Sequence, residues 1–169
     1  MNFDHVLSHA ELLAIVQYNP TTGIFTRRVP AGGQRVGSIV GTKLNTGYLI
    51  ASLKGRKYVL HRLAWFYVYG LYPHEQLDHI NGKRDDNRLV NLRVATQSQN
   101  CINRPSKTAL QKGVYPHPNG GYTVTITNNR QTKYLGYFKS YEEACKVYTD
   151  AAAVLHGPFR FEQSRKCAI

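Results

Sequence analysis

Acidic side chains are scarce in this chain. Ten Asp and Glu stand against 22 Lys and Arg, a formal net charge of +12 over 169 residues. Neither half escapes the imbalance: residues 1–104 hold 13 basic against 6 acidic side chains, and residues 105–169 hold 9 against 4. Such a surplus implies a partner of dense negative charge, and nucleic acid is the usual one. Cysteine is scarce as well. Cys101, Cys145 and Cys167 form no C-x-x-C pair, which argues against a disulfide framework or a zinc knuckle and for reduced thiols in a cytosolic setting. Long apolar runs are missing: the most apolar stretch, Leu63 to Tyr72, is too short and too rich in tyrosine to span a bilayer. No signal peptide is visible at the N-terminus. A soluble, cytoplasmic protein with no membrane partner is expected.

The stretch from Leu77 to Arg104 carries the chemistry. It reads Leu77-Asp78-His79-Ile80-Asn81-Gly82, then Asn87-Arg88, Asn91-Leu92-Arg93 and Ser98-Gln99-Asn100. Phosphodiester hydrolysis needs an activated water, a charge clamp on the phosphate and help for the leaving oxygen. Asp78 offers a hard anionic oxygen suited to Mg²⁺ or Mn²⁺, and Asn100 a neutral amide oxygen that completes the protein side of an open site. Successive strand side chains face opposite ways, so His79 does not readily join Asp78 on the ion. A neutral imidazole suits general-base work near pH 7 instead.

With Asn91 twelve residues after His79 and Asn100 nine further on, the stretch resembles the HNH endonucleases, whose core is a β-hairpin and a short helix around a metal. The resemblance implies His79 as base, Asp78 and Asn100 as metal ligands, and Asn91 as the residue that pins the loop between the hairpin strands. Asn100 stands where the founding pattern has His, which favours one hard ion, Mg²⁺ with Mn²⁺ as substitute, and no structural zinc. The Gly-Tyr-Leu, His-Arg-Leu-Ala-Trp and Asp-His-Ile-Asn-Gly order resembles phage HNH proteins across residues 10 to 104, with His61 as a buttress of the site. Lys54, Arg56, Lys57, Arg62, Arg84, Arg88, Arg93 and Arg104 are candidates for phosphate contacts, which set register and affinity. For Arg62, core packing or a bridge to Asp85 or Asp86 is equally open.

Around this stretch the pattern predicts a helix over His9–Tyr18 capped by Ser8, a turn at Asn19–Gly23, a strand from Ile24, a hairpin tip at Lys54-Gly55-Arg56, and a helix over His61–Tyr69 ended by Gly70. Pro105–Ala109 reads as a linker, and the helix before it should end near Arg104.

After residue 111 the period changes. Gly113–His117 reads as a strand. Tyr122–Thr127 alternates, with Tyr122, Val124 and Ile126 on one face, and Thr132–Phe138 follows the turn Asn128-Asn129-Arg130. Ser140 caps a helix to about Leu155, with Glu143 completing a capping box and Ala144, Val147, Tyr148, Ala151 and Ala152 as its packing stripe. On Gly113-Val114, Tyr134-Leu135-Gly136-Tyr137-Phe138, Glu142-Glu143-Ala144, Tyr148 and His156-Gly157, this module resembles the plant APETALA2/ethylene-response-factor DNA-binding domain. The resemblance implies a DNA face of Tyr115, His117, Thr123, Thr125, Thr127, Thr132 and Tyr134, with Arg130 at the hairpin tip, set on the side of the sheet away from the helix. Tyr115 and His117 stand where plant members carry Arg, so Thr and Tyr contacts are expected in place of guanine-reading guanidiniums.

The sequence therefore predicts an α+β protein: an HNH domain with a β-rich extension over residues 1–104, a linker over 105–111, and a three-stranded antiparallel sheet packed on one helix over 112–165. Its expected function is metal-dependent, site-directed, homing-type cleavage of double-stranded DNA, one strand per active site, with no small-molecule cofactor. Monomer and homodimer both stay open. The rival is a non-catalytic, sequence-specific DNA-binding regulator that keeps an inactive HNH shell.

Overall fold

Ser8 starts the first helix, α1 (His9–Ile15), with a reciprocal cap: its hydroxyl accepts from Glu11 N–H, and the Glu11 carboxylate accepts from Ser8 N–H at 2.8 Å. The computed structural model describes residues 7–104, 106 and 110–160. Two compact units divide it, residues 1–94 and 95–169. The expected linker residues Pro105 and Lys107–Ala109, the stretch after residue 160 and Cys167 lie outside the described residues.

In the first unit α1 ends three residues short of the predicted Tyr18. Val16 and Tyr18 are buried with Gln17 and Asn19 exposed, a strand period, and β1 (Val16–Asn19) pairs antiparallel with β2 (Ile24–Arg27) in the register Val16↔Arg27 to Asn19↔Ile24. Pairing and a β-branched residue at the junction outweigh the helical spacing. The Asn19 carboxamide accepts from Thr21 N–H and Thr22 N–H and shapes the connecting turn. β3 (Ile39–Val40) completes this sheet, and β4 (Thr42–Lys43), β5 (Leu49–Leu53) and β6 (Arg56–Val59) form a second. The β5–β6 tip is a two-residue turn with φ of 48° at Lys54 and 77° at Gly55. Helix α2 (Leu60–Tyr69) follows at once and stops at Gly70 in left-handed geometry. Leu12, Val16, Phe25, Leu60 and Leu63 fuse these elements into one core. Each such side chain contributes about 1.5–3 kcal/mol by leaving water. A ribbon of β7 (Gln76–His79) and β8 (Leu92–Ala95) carries the motif.

The second unit opens with α3 (Gln97–Ile102), capped reciprocally by Thr96 and Gln99. The Lys112 ammonium donates to the carbonyls of Cys101, Ile102 and Arg104 at 3.0, 2.7 and 3.1 Å, which satisfies the end of α3. Strands β9 (Val114–Pro116), β10 (Tyr122–Asn128) and β11 (Gln131–Phe138) form an antiparallel sheet in the order β11-β10-β9, and Val114, Val124 and Ile126 pack on Ala144, Cys145, Tyr148 and Ala152 of α4 (Tyr141–His156). The predicted reciprocal cap on α4 is only half formed. Ser140 accepts from Glu143 N–H at 3.4 Å, and its hydroxyl donates to Glu142 at 2.6 Å, without the return bond from Ser140 N–H to the Glu143 carboxylate. Cys101 and Cys145 are free thiols. Among the described residues no helix is long and apolar enough to cross a membrane.

Gly113 immediately precedes β9 and lies against Tyr148 of α4. A Cβ there would lie 2.2 Å from the Tyr148 ring and 2.4 Å from the Thr125 carbonyl, at a φ of 78°. Gly113→Ala is therefore expected to cost about 2–4 kcal/mol, read as a lower urea midpoint for loss of α4 helicity. An unchanged midpoint would show that the Tyr148 contact is not tight.

Candidate active site

Asp78 and His79 end β7, and both are buried, at 5% and 4% exposure. Neighbours on a strand face opposite ways, and their surroundings differ accordingly. Asp78 Oδ2 accepts from Arg93 Nε at 2.9 Å and Nη2 at 2.7 Å, from the facing strand β8. The His79 ring packs on the rings of His61 and Tyr48, with centroids 5.0 and 5.9 Å away, and its Nε2 is 3.3 Å from the Asn87 amide oxygen. Burial pushes His79 below the ordinary histidine value of 6.5, outweighing the contact with Asn87 and the charge of Asp78. The imidazole is thus neutral at physiological pH.

The loop between the two strands is tied by Asn91, itself buried. Its Oδ1 accepts from Asn81 N–H at 3.0 Å, its Nδ2 donates to the Asp86 carbonyl at 2.8 Å, and its own carbonyl accepts from Ile80 N–H at 2.9 Å. A carboxamide does this with one side chain because it both donates and accepts. Asp86 in turn accepts from Asn81 Nδ2 and takes a two-pronged bond from Arg88 at 2.7 and 2.6 Å, and the Arg88 guanidinium holds its carboxyl down at about 2.

The basic residues divide into committed and exposed ones. Arg93, expected at phosphate, is half of the buried pair with Asp78, the side chains being 15% and 6% exposed. Arg62 bridges neither Asp85 nor Asp86. It donates to the carbonyls of Pro73 and Glu75 and lies 4.9 Å from the centre of the Tyr72 ring. Of the two alternatives left open for it, packing is the one observed, because the turn after α2 directs carbonyls at it. Asp85 pairs instead with Lys43. Arg84 donates to the Thr46 carbonyl and covers Tyr48. Arg56, Lys57, Arg88 and Arg104 are exposed. Asn100 lies half-buried on α3, in the second unit.

In the second unit the expected DNA face divides similarly. Thr125 pairs with Tyr134 and Thr127 with Thr132, whose hydroxyls are 2.8 Å apart. Tyr115 and Tyr134 are well exposed, as are Thr127, Arg130 and Thr132, while His117, Thr123 and Thr125 are half-buried. His117 accepts from Asn119 N–H and packs on Tyr137. The face is not open throughout. Thr125 and Thr127 help line a cavity of about 490 Å³ whose far wall is Thr96, Ser98 and Cys101 from the α3 region. Tyr137, opposite Thr123, joins this face without having been expected there. The register shift between Val124 and Thr125 leaves Leu135 without a partner in the pairing and moves Tyr137 across, a bulge no simple alternation predicts.

The site also holds residues to which the motif assigned no role. Asn87, 1% exposed, contacts His79 through its side chain, and its carbonyl accepts from the Tyr18 hydroxyl at 2.7 Å. Tyr48, just before β5, packs its ring on those of His61 and His79. His61, expected as a buttress, is buried against His79, and its Nδ1 has no hydrogen-bond partner. Burial, then the proximity of His79, pushes it down to about 3.

Residues 58–101 match the family model described as HNH endonuclease, a segment that contains Asp78, His79, Asn91 and Asn100. Over 116 residues the chain is 30% identical to an uncharacterised HNH endonuclease, L560, of Acanthamoeba polyphaga mimivirus; the match covers 68% of this chain and 61% of that protein. The chain thus spans about three fifths of the length of that relative. A solved structure described as DNA binding and cleavage by the HNH homing endonuclease I-HmuI aligns over 85% of each chain at 22% identity and a TM-score of 0.43.

Two tests follow from this geometry. Removing one partner of a buried ion pair leaves an uncompensated charge, so Arg93→Ala should cost about 3 kcal/mol. Arg88→Ala, in a half-exposed and solvent-screened pair, should lower the urea midpoint far less; equal midpoints for the two variants would contradict the distinction. His61 has a folded-state value far below its unfolded 6.5, so the unfolded chain takes up its proton first. Stability should therefore be lost as pH falls from about 6.5 toward about 3. His61→Phe should remove on the order of 3 kcal/mol of that acid sensitivity, measured by urea titrations at pH 7 and pH 4. A variant as acid-sensitive as the parent would refute the assignment.

Proposed function

We propose that the protein is a divalent-metal-dependent endonuclease that hydrolyses phosphodiester bonds in double-stranded DNA. The observation that carries this reading is a buried, neutral imidazole at the end of β7, next to a carboxylate clamped by Arg93, within a segment of HNH endonuclease type. The donor chemistry fits a hard ion: Asp78 brings a carboxylate and Asn100 a carboxamide oxygen, and these two would hold Mg²⁺, with waters and a substrate phosphate filling the rest of its shell. Arg93 does not exhaust Asp78, since a carboxylate accepts about four bonds. Among the described residues no three His, Cys, Asp or Glu side chains gather as a metal site, so the reading rests on this mixed oxygen pair. When bound, the ion supplies Lewis-acid stabilisation of charge at the phosphate and the departing oxygen.

His79 takes the proton from the attacking water. It needs no prior deprotonation, because burial keeps it neutral. Asn91 keeps the intervening loop from drifting and so holds the spacing between β7 and β8. Arg88 and Arg104, with Arg56 and Lys57 near the β5–β6 tip, are exposed cations for the DNA backbone. The sheet of the second unit, with Tyr115, Thr123, Thr127, Arg130, Thr132, Tyr134 and Tyr137 toward solvent or half so, serves as an APETALA2-like reader of the duplex. Tethering it to the nuclease segment raises the local concentration of one site for the other on the same DNA. One nuclease site per chain cuts one strand per event.

Supercoiled plasmid incubated with the protein and Mg²⁺ should be nicked, and EDTA should stop the reaction. His79→Ala should lower the rate by at least about a hundredfold and leave gel-shift binding intact. Binding without nicking by the parent protein would favour the regulator reading instead. Since His79 acts unprotonated and its value lies below 6.5, kcat/KM should stay level down through neutral pH and fall only below 6.5. An acid limb centred above 6.5 would remove His79 as the base.

A further inference from the structure

We propose that Asn87 is a positioning residue: its amide oxygen fixes His79 as the Nε2–H tautomer, placing the basic lone pair on Nδ1, and the β1–β2 hairpin holds Asn87 to that task. The proposal rests on the reading of His79 as general base. A carboxamide oxygen only accepts hydrogen bonds. The imidazole nitrogen 3.3 Å from the Asn87 oxygen must then carry the proton, and a neutral ring has only one N–H. Both residues are almost fully buried, so water does not compete for the contact.

Asn87 is costly where it stands. Its Nδ2 is buried without a partner, and an unsatisfied buried donor costs about 1–3 kcal/mol. An apolar side chain would remove that cost but would leave the His79 N–H buried without this acceptor. The one polar service that the side chain performs is the contact with His79.

Three contacts from the N-terminal hairpin lock the backbone of this segment. The Tyr18 hydroxyl donates to the Asn87 carbonyl at 2.7 Å, and Leu89 N–H donates to the Pro20 carbonyl at 3.1 Å. Gly23 lies so close that a Cβ on it would stand 2.5 Å from Arg88 N and 2.7 Å from the Asn87 carbonyl carbon. The N-terminal hairpin thereby reaches the base through one residue.

Ring ¹⁵N–¹H correlation spectra of the full chain at neutral pH, assigned with His79→Ala, read the tautomer directly. The parent protein should show Nε2 protonated and Nδ1 bare. Asn87→Leu should lose that preference, and its plasmid-nicking kcat should fall about tenfold to a hundredfold, with KM and gel-shift affinity unchanged. Asn87→Asp keeps an acceptor and should keep the tautomer; if the Leu variant does not fold, this variant and Tyr18→Phe carry the kinetic comparison, with Tyr18→Phe lowering kcat alone. A parent His79 protonated on Nδ1 overturns the proposal, as does a kcat that Asn87→Leu leaves unmoved. Failure of the underlying reading looks different: His79→Ala would then cut at the parent rate while the parent spectrum still showed Nε2–H.

Discussion

Strand alternation at the end of β7 is the constraint on which the site depends. Two adjacent residues, both buried, are turned toward different company: Asp78 meets the guanidinium of β8, and His79 meets a stack of rings. A one-residue slip of the ribbon would exchange them and put a carboxylate among aromatic rings, with no cation to compensate it. Arg93 and Asn91, at the start of the returning strand, make the register costly to lose. The first contributes a two-pronged ion pair and the second three hydrogen bonds around the loop.

The site is assembled from distant parts of the first unit. His61 comes from α2 and Tyr48 from just before β5, and both pack on His79, while Tyr18 of β1 holds the backbone of Asn87. The rings of His61 and Tyr48 help to exclude water from His79, which is 4% exposed. Dryness keeps the imidazole neutral and gives a 3.3 Å contact with one amide oxygen more influence than it would have in solvent. The cost is an orphan nitrogen on His61 and another on Asn87, the kind of local expense that natural folds concentrate at working sites.

What the sequence made legible was mostly local. Asp78, His79, Asn91 and Asn100 stood out by type and spacing. The turns at Lys54-Gly55 and Asn129-Arg130, the Gly70 stop and the Val124/Ile126 stripe followed from turn chemistry and period. The end of α1 did not, because Val16 and Tyr18 answer to strand β2 rather than to their own helix. The tasks of Arg62 and Arg93 were hidden because charge alone does not reveal whether a guanidinium finds carbonyls, a carboxylate or solvent. Asn87 was in plain view but without a role: its partner Tyr18 is 69 residues away, and nothing local points to it. Tyr137 was concealed by a bulge, which reverses the meaning of alternation past Leu135.

The two kinds of cation in this chain answer differently to ionic strength. Exposed guanidiniums such as Arg88 and Arg104 lie in solvent, where counterions damp their field over a Debye length of about 8–10 Å. The bond between Arg93 and Asp78 is enclosed by protein, with side chains only 15% and 6% exposed, and dissolved ions have little access to it. Concentrated salt therefore damps the field of the exposed cations while the ribbon that carries the imidazole keeps its shape.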